Sequence, residues 1–213
     1  MRPLFIPALS VRFISRRRQR SLQHSSRMSL DIPTIRAARF PATADHAATL
    51  LGTTKPTPSL DDALLRELFS SSDGARGALV AVLSYPSIPH CDDPLDQKLA
   101  SVVSEIASRD DEAGATLRTL LVTNVVMPNA MTVTYRQLGK TQLMEASAMT
   151  ARRAANLLRI VSADQKVKDI AREFVRGLRD DLGTFGAFAT KWQYGKGERE
   201  QAIKGIGEAV DGI

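Results

Sequence analysis

Between residues 162 and 179 the chain sets Val167, Ile170, Ala171, Phe174, Val175 and Leu178 at intervals of one, three and four, with charged residues filling the remaining positions. That spacing draws one apolar stripe along a helix. Ser162, just ahead of it, is a residue of the N-capping type. The same period recurs upstream. Leu60, Leu64, Leu65, Leu68 and Phe69 form a face behind Ser59, with Asp61 and Asp62 in a first turn where the helix dipole favours acids. Asp73 opens a helix to about Leu83 that buries Leu79, Val80, Val82 and Leu83. Pro94, at a favoured first position after Asp93, opens another to about Ser108 through Leu99, Val102, Val103 and Ile106.

From Asp111 to Leu138 the pattern changes. Leu117, Leu120, Leu121, Val122, Val125, Val126, Met127 and Met131 leave the middle of this stretch apolar nearly all round, the signature of a helix that others pack around. Pro128 lacks an amide hydrogen, which predicts a kink or a split near Asn124. Met131 to Tyr135 alternates and is the one stretch that also reads as a short strand. Gly139 ends the helix. Thr141 to Val161 follows as a helix rich in small residues; Leu182, Phe185, Phe188 and Trp192 form a docking strip loosened by Gly183 and Gly186, and Lys196 to Ile213 supplies a last short helix with Ile203, Ile206 and Val210 inward. The pattern predicts an all-α, single-domain helical bundle of about six to eight helices over residues 59–213. Residues 30–58 carry Pro33, Pro41, Pro56 and Pro58 and read as an extended arm on the surface with one short helix near Ala44 to Leu51.

Composition changes the picture most at the start of the chain. Residues 1–29 hold seven arginines and six serines and no Asp, Glu or Lys. This is the makeup of a mitochondrial import presequence, drawn by its charge toward the negative side of an energised membrane. Leu4, Phe5, Ile6, Leu9, Val11, Phe13 and Ile14 give it an apolar face, kept short by Pro3 and Pro7. Arg20, Leu22 and Ser25 fit a two-step cleavage pattern that places the final cut between Ser29 and Leu30. The mitochondrial matrix is the expected location. Met28 offers a second start that would yield the same domain without the signal, as a cytosolic form. The alternative is a disordered basic arm that binds nucleic acid.

The whole chain has 29 basic and 23 acidic residues and a formal charge of +6. Without the seven arginines the remaining residues are close to neutral, so the high isoelectric point belongs to the first 29 residues. What remains is polarised. Residues 136–179 contain ten basic residues against four acids, while 59–113 contain eleven acids against four bases. Arg152, Arg153, Arg159, Lys166, Lys168, Arg172, Arg176 and Arg179 form the candidate surface for an anion or an acidic partner. The competing account is two helical layers attracting one another. Aromatic residues do not interleave with these charges, which argues against nucleic acid.

The single cysteine, Cys91, excludes an internal disulfide and a Cys-rich zinc site. No apolar run is long enough to span a membrane without polar interruption. His90, Cys91, Asp92 and Asp93 are adjacent candidate ligands, but adjacent residues seldom converge on one ion, and a polar loop ending in a cap is the simpler account. Asp73 to Gly77 would expose amides and Arg76 to an anion, or else pack closely through Gly74 and Gly77. Asn124 and Asn129, with Thr123, Thr132 and Thr134, either line a pocket beside Pro128 or bond helix carbonyls. No nucleophile and base stand at a catalytic spacing, and no cofactor is implied. The pattern points to a non-enzymatic matrix adaptor or assembly factor with a protein partner or a homo-oligomer. Two alternatives stand beside it: an enzyme or small-ligand binder with its pocket near Pro128, and a peripheral inner-membrane protein binding anionic lipid.

Overall fold

Asp31, Asp61, Ser71, Asp96, Asp111 and Asp164 each stand one residue ahead of a helix, with a side-chain oxygen accepting from an amide of the first turn. These bonds satisfy donors that a helix N-terminus leaves free. In the computed structural model, which describes residues 31–52 and 61–213, they start six of the ten helices among the described residues. The helices are α1 Ile32–Ala37, α2 Ala42–Gly52, α3 Asp62–Phe69, α4 Ser72–Ser84, α5 Gln97–Ser108, α6 Glu112–Gln137, α7 Thr141–Val161, α8 Gln165–Asp180, α9 Gly183–Lys191 and α10 Lys196–Ala209. The described residues form one all-helical domain with no strand. The import segment, the proposed cleavage site and the expected cap Ser59 lie outside the described residues.

The helix count exceeds the expected six to eight because α1 and α2 in residues 31–52 add to the eight of residues 61–213. Asp31 accepts from the Thr34 amide at 2.9 Å and Pro33 stands in the first turn, so the stretch expected as arm opens with a helix of its own. Residues 31–52 thus hold two helices rather than one, and both are docked. Arg36 of α1 forks Glu67 of α3 with two hydrogen bonds of 2.8 Å. The donated bonds hold the Glu67 carboxyl below the usual glutamate range.

Three caps differ from expectation, each for a local reason. Ser71, not Asp73, caps α4 through the Gly74 amide. Ser162 closes α7 by donating its amide to Arg159, which leaves Asp164 as the next free capping side chain for α8. Asp96, not Asp93, caps α5 through the Lys98 and Leu99 amides. Pro94 precedes that helix, and its peptide bond with Asp93 is cis.

α6 occupies the centre. Leu117, Leu121, Val122, Val125 and Val126 are fully buried, and the helix runs unbroken through Pro128 for 26 residues. Side chains bond carbonyls one turn back on either side of the proline, Asn124 to Leu120 at 2.8 Å and Asn129 to Val125 at 2.9 Å. The alternating stretch from Met131 to Tyr135 is helical too: Ala130 and Thr132, on opposite sides of α6, are both buried, and this packing overrides its β-branched content. α7 returns antiparallel to α6 after a turn at Gly139. α10 runs back along α6, with Glu198 accepting from Thr134 at 3.2 Å and Gln201 donating to Asn129 at 3.3 Å. Arg199 fixes the start of α10 by donating to the Leu178 carbonyl at 3.0 Å, at the end of α8, and to the Tyr194 carbonyl at 2.9 Å. Arg118, nearly buried, donates to the Ala107 and Arg109 carbonyls at the C-terminus of α5, where a cation is favoured. No helix among the described residues is long and apolar enough to cross a membrane.

α2 crosses α4 at Gly77, where an added Cβ would lie 2.2 Å from Thr43 Oγ1 and 2.6 Å from the Ala44 amide nitrogen. Thr43 also donates to the Asp73 carbonyl at 2.8 Å. Backbone atoms cannot yield as a flexible side chain would. Gly77→Ala should therefore lower the unfolding free energy by about 1–3 kcal/mol, the range for overpacking, read as a shifted urea midpoint. An unshifted midpoint would mean that α2 does not cross here.

Candidate functional site

Arg152 and Arg153 are consecutive on α7, so they point about 100° apart around the helix and meet different surroundings. The side chain of Arg153 is 2% exposed and that of Arg152 is 65% exposed. Arg153 forks Asp92 with bonds of 3.0 Å from Nε and 2.7 Å from its terminal nitrogen, and it donates to the Tyr85 carbonyl at 2.8 Å and to Val82 at 3.2 Å. Those carbonyls end α4, so the cation also sits at a favoured helix terminus. Arg153 therefore leaves the candidate surface: it is an internal anchor, because its position on α7 faces the loop between α4 and α5. Arg152 touches Asp92 at 3.2 Å with the rest of its guanidinium in solvent.

The same loop disperses the candidate ligand cluster. His90 sits between two acceptors, its Nε2–H donating to the Leu51 carbonyl at 3.1 Å and its Nδ1 lying 3.0 Å from Asp96. Cys91 is buried, and loss of water pushes its thiol up to about 12. Its carbonyl accepts from Asn156 at 2.9 Å. Asp92 faces Arg153, and Asp93 faces solvent. The four residues point at four different partners, and no cluster of three or more His, Cys, Asp or Glu side chains among the described residues suits a metal.

Asp73 to Gly77 is likewise closed. α2 covers Gly77, and Ser71 occupies the Gly74 amide. Arg76 lies 3.8 Å from Asp73 and over the Phe40 ring.

An open groove of about 350 Å³ runs between α7 and α10, with α6 as its floor. Asn129 and Thr132 come from α6, and Ala148, Ala151 and Ala155 line the α7 wall. α10 approaches closely because Gly205 carries no side chain, and a Cβ there would lie 2.2 Å from Asn129 Nδ2. Three arginines line the groove. Arg136 stands near the α6–α7 turn, while Arg152 and Arg159 follow along α7. Arg159 is held by Asn156 at 2.9 Å. Glu208 is the one acid in the lining, and Lys204 lies 3.8 Å from it.

Of the sequence candidates the groove thus unites Asn129, Thr132, Arg152 and Arg159. Asn124 is turned to its own helix and is absent from the lining. The α8 residues lie elsewhere. Lys166 pairs with Asp110, Arg172 pairs with Asp169 at 3.3 Å, and Arg176 shares a shallow depression with Asp169 and Glu173. Lys168 is half-buried and Arg179 exposed. The α8 face is therefore mixed in sign, whereas the α7 side is mainly positive. Arg136 was counted in the basic region but not placed on the candidate surface, and Gln201 and Gly205 were not singled out from the sequence. The small residues of α7 and α10 carry a signal for close helix approach, but nothing local says which helices meet.

The fold and the groove define an all-helical domain with a cationic cleft, and among the described residues no cluster of side chains suits a metal. Residues 40–210, from just before α2 to just past α10, match the family described as uncharacterised conserved protein UCP020893, and the chain belongs to that family. No curated protein and no solved structure matches the chain.

The Arg153–Asp92 fork generates a test. Its donated bonds hold the Asp92 carboxyl below the usual aspartate range. An unfolded aspartate titrates near ~3.9. The stabilisation from this pair is therefore complete above about pH 5 and is lost as pH falls through the folded-state value. Arg153→Met should cost roughly 2–4 kcal/mol at pH 7, less than a fully buried pair because Asp92 is partly exposed. Its stability should then fall less steeply than that of the unsubstituted chain below pH 5. Parallel stability curves for the two proteins would remove the fork from the account.

Proposed function

We propose that the protein is a non-enzymatic adaptor or assembly factor of the mitochondrial matrix, and that it holds an acidic protein partner in the groove between α6, α7 and α10. One observation carries the reading. The lining arginines do not converge on a point but are spread along the groove, with Met144 near one end and Arg159 at the other, roughly 22 Å apart at the rise of a helix. A compact anion engages cations that meet at one place. A chain with several carboxylates engages cations set out in a row.

The volume of the groove lies at the lower edge of small-molecule pockets, and its openness leaves a small occupant largely in solvent. The residues of catalytic type support binding over chemistry as well. His90 has both ring nitrogens engaged, and the Cys91 thiol is buried and kept protonated. The matrix assignment rests on the acid-free, arginine-rich composition of residues 1–29. A form starting at Met28 would carry the same groove in the cytosol.

Two experiments test this. Arg136→Glu with Arg159→Glu in the full chain should abolish co-purification of a specific protein from mitochondria, while Arg176→Glu on α8 should leave it intact. Equal recovery with both variants would refute the groove as the partner site, and recovery of cardiolipin vesicles in place of a protein would favour the lipid reading. N-terminal sequencing of the mitochondrial protein should find Leu30 or a neighbouring residue. An intact Met1 in mitochondria would overturn the import assignment.

A further inference from the structure

The walls of the groove are helices, and their backbone donors and acceptors are used within the helices. Among the described residues no sheet edge is present to receive an extended strand by backbone pairing. The surface instead offers side chains only: Ala148 is exposed on the α7 wall, and Ala151 and Ala155, at spacings of three and four, are nearly buried in the floor beside it, across from Gly205 of α10. Rows at that spacing on a helix accept the ridges of another helix, and small residues permit a close approach. Charge sets the ends. Arg136 marks one end and Arg159 the other, and among the described residues no ion pair engages Arg136.

Two occupants from the chain itself fit poorly. The first 29 residues bring seven arginines and no acid, so the groove repels them. A second copy presents α3 to α5 with their acids engaged, Asp62 with Lys98, Glu67 with Arg36, Asp73 with Arg76 and Glu105 with Arg66.

We infer that the occupant is an amphipathic α-helix of a partner protein, with small residues on its buried face and acidic residues near both ends. The inference rests on the reading of the groove as a partner site and adds the form and charge layout of what enters it. A helix of about 15 residues spans the distance from Met144 to Arg159.

The probe is a fluorescein-labelled, alanine-based helical peptide with glutamates at both ends, titrated into the full chain by anisotropy at about 0.15 M salt, where long-range attraction is screened. A second peptide of the same composition carries a central proline, which breaks the helix. The helical peptide should bind, and the proline peptide should bind at least about tenfold more weakly. Arg136→Glu and Arg159→Glu should each weaken binding about fivefold or more. Ala148→Trp, at an exposed position, should block the groove without disturbing the core. Arg176→Glu should leave binding within about twofold.

Equal binding of the two peptides would overturn the helix while leaving a groove-dependent partner standing. Binding unaffected by all three groove variants would place the peptide on the N-terminal arginines and overturn the inference. A dimer of the full chain that Ala148→Trp converts to monomer would assign the groove to a second copy, with the same consequence. If groove variants lose the mitochondrial partner but neither peptide binds, the inferred layout is wrong and the partner reading survives.

Discussion

A guanidinium withdrawn from water destabilises a fold unless acceptors surround it, and in this protein the acceptors around Arg153 come from the end of α4 and from the loop that follows it. Val82 is in the last turn of α4, Tyr85 follows it, and Asp92 lies in the loop before α5. Neutralising one cation thus fixes the end of α4, the loop from 85 to 96 and the middle of α7 relative to one another. Asn156 adds a bond to the Cys91 carbonyl one turn further along α7. His90 extends the same loop to the end of α2. The groove depends on this arrangement, since the helix face turned away from Arg153 is the face that carries Arg152, Ala148 and Ala155 to the α10 side.

The charge polarity of the sequence is largely resolved within each half. Asp62, Glu67, Asp73, Glu105 and Asp111 pair with Lys98, Arg36, Arg76, Arg66 and Arg109, none of which belongs to the basic region. Asp92 and Asp110 are the acids of residues 61–113 with ion pairs into α7 and α8 among the described residues. The account of two layers in mutual attraction therefore holds at two points and not along the surface. Arg136, Lys140, Arg159, Lys168, Arg176 and Arg179 are left without an ion pair among the described residues. On α8 the neighbouring Asp169, Glu173 and Asp180 dilute this excess; along the groove only Glu208 does.

Helix periodicity made the architecture legible, because an amphipathic stripe such as Val167 to Leu178 has one reading at 3.6 residues per turn. It was less informative where burial is all round, as in α6, and silent where glycine spacing hid a short helix, as in α9. Cap positions slipped by two or three residues where several Ser or Asp residues precede a helix, since the choice between them depends on where the preceding segment lets go. The Arg152–Arg153 pair shows the limit for sites. Two identical neighbours, four carbonyl and carboxylate bonds apart in environment, become a buried anchor and an exposed groove residue. Arg153 precedes the buried Leu157 by four positions, which is a hint of inward orientation, but its partner Asp92 lies 61 residues away. The groove is further from local reading still, because the Gln201–Asn129 contact joins residues 72 apart.

The claim at the centre is that the α7 side of this groove meets a partner in the cell. A photo-crosslinking residue at position 148, on the exposed wall of α7, measures it directly when set beside one at position 187 on the exposed face of α9. The account predicts that position 148 yields adducts on an acidic helical segment of one protein and that position 187 does not. Identical adducts from the two positions, or none from position 148, would contradict it.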